Sequence, residues 1–338
     1  MSDSALDQIV DDLRNSGSKY FPQHSDARMA RVVGHTPKPD HYTYEIVIDF
    51  PDGSERVNAK IYRGRGNGRS PQEAALRESQ RLHFAHETAQ RRSLKGVPRP
   101  VGDYAQLGAV VSTKVNGLPL QSIIMKTALL PGDGSQHLLE SAAREAGQWL
   151  QSFHRASSAM PAPLDTAAVL AELEKLCSRA QKDGLPADCT DAILSKARAA
   201  LARQKKPLRS SAVLHDFIPL NVLVAEGGVG FCEFAELAEQ GHSLLDAAIF
   251  LAAVEVLEKY PFCNRHITAQ VQNAFVEAYG VTEQEEALLD TLKMKVLLQM
   301  FAQGRIIKES AERKKVMWAN VMKRFIQQAA ERSVAKVA

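Results

Sequence analysis

One run constrains this chain more than any other: Val213-Leu214-His215-Asp216-Phe217-Ile218-Pro219-Leu220-Asn221-Val222-Leu223-Val224. It sets an acid, Asp216, and an amide, Asn221, on a short loop just ahead of a β-branched apolar run. A turn follows at Glu226-Gly227-Gly228, and a second apolar run, Val229-Gly230-Phe231-Cys232, ends on an acid, Glu233. Loop, strand, tight turn, strand and acid together describe a hairpin that returns Glu233 towards Asn221. Three oxygen-bearing side chains converging there would suit a hard cation with a phosphate held over it. The same residues also read as an acid-capped turn before a hairpin, with no chemistry. The remainder of the chain decides between the two.

Size and composition leave room for the first reading. A chain of 338 residues can bury a large core and is expected to form two domains or lobes. The formal net charge of +3 is too small to call for a nucleic-acid partner or an anionic membrane. Cys177, Cys189, Cys232 and Cys263 are dispersed without metal-ligand spacing, which favours a reducing compartment such as the cytoplasm. Residues 1–14 are acidic and polar, unlike an ordinary signal peptide. No apolar run is long enough to suggest a membrane span.

Upstream of the loop the pattern is mostly strand. Residues 2–17 read as a short helix or arm, residues 27–33 alternate apolar and basic, and residues 34–40 form a loop. Residues 42–50 are rich in aromatic and β-branched side chains, a strong strand signal. A turn at Pro51-Asp52-Gly53-Ser54 leads to a third strand, 56–62, with Lys60 between Ala59 and Ile61. A loop rich in Gly and Arg, 63–69, precedes a helix that Ser70 can cap and Pro71 can open, running to about residue 91. Glu78, Leu82 and Ala85 share one face of it, and an acid on a partly apolar face calls for a partner. Two more strands are expected over 99–104 and 107–115, before Asn116-Gly117-Leu118-Pro119 breaks the pattern.

The second half is mostly helical. Helices are expected over 138–155, 165–180 and 191–204, the first closed by His154, read as a packing residue. After Glu233, helices are expected over 245–260, over 264–279 and from 282 onward, separated by Pro261 and Gly280. The segment 293–336 is basic and amphipathic and reads as the solvated face of a bundle helix.

In this order, these residues resemble the aminoglycoside phosphotransferase and choline kinase relatives of the protein kinases. Those enzymes carry an H-G-D-x-x-P-x-N loop and, after an apolar strand, a metal-binding Asp; Asp216, Pro219 and Asn221 match that loop by spacing. The resemblance implies an α+β, protein kinase-like fold of two lobes. Residues 1–115 would form a five-stranded antiparallel sheet with one helix, and residues 116–338 a mainly α-helical lobe. ATP and magnesium are the implied cofactors. Asp216 would be the catalytic base, Asn221 and Glu233 the metal ligands, and Lys60 the phosphate contact. Glu78 would be the ion-pair partner of Lys60, with Glu73 as second choice. Val115 and Gly117 would lie in the hinge, 111–117, whose backbone meets the adenine. Asp246 matches an acid that braces the catalytic loop, and the helices within 165–204 would help build the acceptor pocket.

Three departures stand against the pattern. The loop His is either replaced by Leu214 or shifted to His215. Glu233 is one methylene longer than Asp, so manganese is expected to serve better than magnesium, which demands near-ideal geometry. The loop 34–40 holds one Gly and two Pro and so offers few N–H donors to a phosphate. The implied function is transfer of the ATP γ-phosphoryl group to a hydroxyl of a small molecule: a sugar, amino alcohol or glycolipid head group. The alternative is a pseudokinase, the same fold kept as a nucleotide-binding or scaffold module. An α+β protein without a nucleotide site is the third reading.

Overall fold

The computed structural model describes residues 2–64, 70–129, 133–260, 263–304, 322–323, 326–328 and 330. Most of the Gly/Arg-rich loop (65–69), Pro261, and most of the basic stretch after Gly304 lie outside the described residues. The chain divides into two compact units, Met1–Gly117 with Gly230–Leu237, and Leu118–Val229 with Ala238–Ala338.

The first unit opens with helices α1 (Ser2–Asn15) and α2 (Gly17–Tyr20). Strands β1 (Met29–Pro37), β2 (His41–Phe50) and β3 (Gly53–Tyr62) follow, then helix α3 (Pro71–Gln90) and strand β4 (Ala109–Thr113). The strands form one antiparallel sheet in the order β1-β2-β3-β4. Along β3 burial alternates: Val57, Ala59 and Ile61 are buried, while Asn58, Lys60 and Tyr62 on the other face are half-buried. The buried set packs with Ile9 and Leu13 of α1. These two sit four residues apart and so share one helix face. Ser70 caps α3 in a full capping box: Glu73 N–H donates to Ser70 Oγ (3.2 Å) and Ser70 N–H donates to Glu73 Oε2 (3.0 Å).

Three expectations are corrected here. The sheet has four strands among the described residues rather than five. Residues 99–104 make only the bridge Pro100↔Ser112, with Val101 N–H donating to the Val111 carbonyl at 2.9 Å. Pro98 and Pro100 have no N–H to offer a ladder, and Gly102 turns the chain away at φ +67°. The loop expected over 34–40 shrinks to Lys38-Pro39-Asp40, because β1 absorbs a register shift between Val32 and Gly34 and continues pairing to Pro37. The stretch 2–17 is largely a docked helix, so α3 is not the only helix of the unit.

Asp12 ties α1 down. It accepts from the hydroxyls of Tyr104 (2.6 Å), Tyr20 (2.7 Å) and Ser16 (3.0 Å). Burial pushes its carboxyl pKa up, but those three hydroxyls and Lys19 outweigh burial and leave it below the ordinary Asp value. A depressed folded pKa gives stability that is present above the unfolded value and lost as pH falls through the folded one. Wild-type unfolding free energy should therefore drop as pH goes below about 4. Asp12→Ala is expected to cost roughly 1–3 kcal/mol at neutral pH and to remove part of that acid slope. Urea titrations at several pH values check both; an unchanged slope in the variant would refute the assignment.

The second unit begins with β5 (Leu118–Pro119), α4 (Leu120–Leu129), α5 (Asp133–Ala156) and β6 (Ala159–Ala162). Next come α6 (Thr166–Lys182), α7 (Ala187–Arg203), β7 (Leu208–Val213) and β8 (Val222–Ala225). Strand β9 (Gly228–Phe231) carries the chain into the first unit, and the second resumes with β10 (Ala238–His242). Helices α8 (Leu244–Val256), α9 (Arg265–Tyr279) and α10 (Glu283–Gly304) complete it. Helix α8 is buried on nearly every side, as expected of a helix with almost no polar face. Helices α5 and α9 approach closely at Gly147, where a Cβ would stand 2.6 Å from the Phe275 carbonyl oxygen. No helix among the described residues is long and apolar enough to cross a membrane.

Candidate active site

In the first unit, strand alternation turns Lys60 away from the α1 core and towards α3. The helix buries Glu78 on the face it shares with Leu82 and Ala85. Lys60 Nζ donates to Glu78 Oε1 at 2.6 Å and to Glu233 Oε1 at 2.8 Å. The other oxygen of Glu78 accepts from the Tyr62 hydroxyl. Burial alone would weaken the Lys60 ammonium, but the two carboxylates outweigh it and hold the pKa well above that of an ordinary lysine. Burial likewise opposes the Glu233 carboxylate, and Lys60 outweighs it, so Glu233 is held below its ordinary value.

Glu233 sits in a segment fixed at several points. Ala235 N–H donates back to Glu233 Oε1 at 3.2 Å, and Arg81 of α3 donates to the Ala235 carbonyl. Phe231 N–H donates to the Gly96 carbonyl at 2.8 Å. The extra methylene of Glu233 is thus used to reach Lys60 while folding onto its own turn. One ammonium lies between two carboxylates, which leaves a net negative charge in an oxygen-lined place. That charge and donor set fit a hard divalent cation, which binds few protein carboxylates and completes its shell with water and phosphate. Among the described residues no three His, Cys, Asp or Glu gather to hold a metal by themselves.

The loop of the second unit is built as tightly. Asp246, fully buried at the start of α8, accepts from Leu214 N–H (2.7 Å) and His215 N–H (2.8 Å). His154 lies behind it, Nε2 3.0 Å from Asp246 Oδ2 and Nδ1 3.0 Å from Tyr279 Oη. The Tyr279 hydroxyl donates to the Ser243 carbonyl at 3.1 Å. Phe217 anchors the loop in an aromatic cluster, stacked on Trp149 at 5.8 Å and against Phe250 and Phe275. The side-chain amide of Asn221 donates to the Asp216 carbonyl at 3.0 Å and closes the loop on itself. Gln121 N–H donates to the Pro219 carbonyl at 2.9 Å, tying the loop to α4. Asp216 and Asn221 are left half-buried on this rigid base.

His215 has φ +63°, a left-handed conformation that glycine adopts without strain. Leu214 beside it is fully buried.

The structure brings Lys60, Glu78 and Glu233 into direct contact. Glu73, the second choice, is spent on the helix cap. Val115 and Gly117 follow the end of β4. Val115 lies against Gly230, where a Cβ would come within 2.6 Å of Val115 Cγ1. Sequence reasoning missed Tyr62 and Arg81. Tyr62 was detectable as the next residue on the Lys60 face of β3, and Arg81 as the residue one turn beyond Glu78.

Solved structures share the fold. A choline kinase from Cryptosporidium parvum Iowa II matches with a TM-score of 0.59 at 10% identity, over 98% of this chain and 97% of that one. A choline/ethanolamine kinase family protein from Mesorhizobium loti matches at 0.54 and 14%, over 96% and 99%. A glucosamine kinase in complex with glucosamine, ADP and inorganic phosphate matches at 0.50 and 12%, over 95% and 96%. Among curated proteins nothing matches this chain. The fold is protein kinase-like, with an antiparallel sheet in one unit and a helical second unit. The profile of the phosphotransferase enzyme family matches residues 53–292, well over half of the sequence, and the chain belongs to that family.

Proposed function

We propose that this protein transfers the γ-phosphoryl group of ATP to a hydroxyl of a small molecule: a sugar, an amino alcohol or a glycolipid head group. The observation that carries the reading is the ion-paired Lys60, held by Glu78 and Glu233 within a family of phosphotransferases. Similar structures include a glucosamine kinase holding ADP and a choline kinase, which supports a nucleotide donor and a small polar acceptor.

In this reading Lys60 binds the nucleotide phosphates, and the chain around Val115 and Gly117 lies beside the adenine. Asp216 accepts the proton of the attacking hydroxyl as its oxygen bonds to the γ-phosphorus and the bond to the ADP oxygen breaks. Asn221 and Glu233 would hold magnesium or manganese, whose charge when bound offsets that of the phosphates. The loop geometry held by Asp246 and Phe217 keeps Asp216 aimed without reorganisation.

Glu233 supplies the test. Aspartate at this position would withdraw from Lys60 and approach the geometry magnesium prefers. Wild type is expected to turn over ATP weakly with magnesium and better with manganese, and Glu233→Asp to gain magnesium use. Metal titrations of ADP production with a panel of sugars and amino alcohols check this. Equal rates with both metals and a loss on Glu233→Asp would contradict it. The second reading, nucleotide binding without turnover, draws on the β1–β2 turn Lys38-Pro39-Asp40, which has no glycine to approach a phosphate. It expects no ADP with either metal.

A further inference from the structure

We propose that Tyr62 is a positioning residue of the nucleotide site, acting through Glu78 to hold Lys60 in its phosphate-binding place. The inference rests on the reading of Lys60 as the phosphate-binding residue.

Residues two apart on a strand point the same way, so Lys60 and Tyr62 both face α3. Glu78 meets them with its two oxygens divided, Oε1 to the ammonium and Oε2 to the phenol. A carboxylate held through one oxygen can still swing about its last torsion, which is broad. Held through both, by two donors fixed on one strand, its plane is set. The Lys60 ammonium is then placed by Glu78 on one side and by Glu233 on the other.

Tyr62 is itself held. Its backbone N–H donates to the Gly108 carbonyl at 2.9 Å. Its ring lies 5.7 Å from that of His41, its cross-strand partner on β2. The His41 ring lies beside the Asp40 carboxylate, Nδ1 to Oδ1 at 2.8 Å. Burial first, and then the negative charge of Glu78, push the phenol pKa far above its usual value, so Tyr62 remains a donor. A side chain present only for packing would not need its hydroxyl aimed at a carboxylate that already has a cation.

Nucleotide affinity by calorimetry, in wild type, Tyr62→Phe, Lys60→Met and the double variant, tests this. Tyr62→Phe removes one oxygen and leaves the ring against His41. It is expected to weaken ATP binding about tenfold, within the range of a hydrogen bond to a charged group. In the Lys60→Met background the same change is expected to have less than about a twofold effect, because residues acting through one another are not additive. A purely structural role would give equal losses in both backgrounds, and that result overturns the inference. So does wild-type affinity in Tyr62→Phe when Lys60→Met binds weakly. Full affinity in Lys60→Met overturns the phosphate reading of Lys60 and this inference with it. If Tyr62→Phe does not fold, Tyr62→Leu, which also lacks the hydroxyl, serves in the same cycle: it should reproduce the loss in wild type and be silent with Lys60→Met, and any other pattern counts against the coupling.

Discussion

Asp216→Asn is expected to lower phosphoryl transfer by roughly a hundredfold to ten-thousandfold, the usual range for loss of a positioned general base. ATP affinity should stay near wild type. The two halves of that expectation come from different parts of the chain. Lys60, assigned to the phosphates, and its partners Glu78 and Glu233 belong to the sheet unit. Asp216 belongs to the loop of the helical unit, where its carbonyl closes the turn with Asn221 and its side chain is half-buried. Asparagine preserves size and shape, so the loop should stand. Single-turnover transfer and ATP binding, measured on the same preparation, separate the effects. Unchanged transfer would remove Asp216 from the role of base.

Asp246→Ala is expected to be the most damaging substitution for stability. The carboxylate is fully buried and accepts from two successive backbone N–H groups, with His154 Nε2 3.0 Å away. Alanine would leave these groups without their acceptor where no solvent replaces it. Removing one member of a buried, charged network costs roughly 3–5 kcal/mol. The left-handed His215 adds to the effect, because strained backbone persists only while its surroundings hold it. Transfer should fall too, although Asp246 itself is placed as a brace and not as a contact to substrate. Asp246→Asn retains one oxygen and should lie between alanine and wild type. Urea unfolding of both variants checks this order; a loss under about 1 kcal/mol for alanine would mean that the loop holds itself.

Much of this arrangement is legible in local sequence pattern. An acid on a partly apolar helix face shows that Glu78 needs a partner, and the resemblance names Lys60 as that partner. Ser70 and Glu73 announce the start of α3 by their spacing. Asp246 is readable only through resemblance, since nothing local marks an acid as the acceptor for a loop 31 residues away. Other features depend on pairing that sequence does not encode locally. Gly34 reads as a loop residue, yet it pairs with Glu45 once the ladder slips register at Val33. Residues 99–104 are apolar enough for a strand, but Pro98, Pro100 and Gly102 prevent a ladder. Spacing leaves the choice between Leu214 and His215 open, and the left-handed backbone of His215 could not be read from the sequence. Tyr62 can be placed on the Lys60 face of β3 by its spacing, but nothing in the sequence marks its hydroxyl as a partner of Glu78, because a tyrosine on a strand is common for packing alone.

The central claim is that the protein moves a phosphoryl group from ATP to an alcohol. It is tested most directly by following γ-labelled ATP with wild type, Lys60→Met and Asp216→Asn, against amino sugars, amino alcohols and simple sugars, with magnesium or manganese present. The expected result is a labelled phosphomonoester of at least one acceptor with wild type, lost in both variants. ATP should still bind to Asp216→Asn and bind weakly to Lys60→Met. A wild-type protein that binds ATP yet labels no acceptor, or label transfer that survives both substitutions, would contradict the claim.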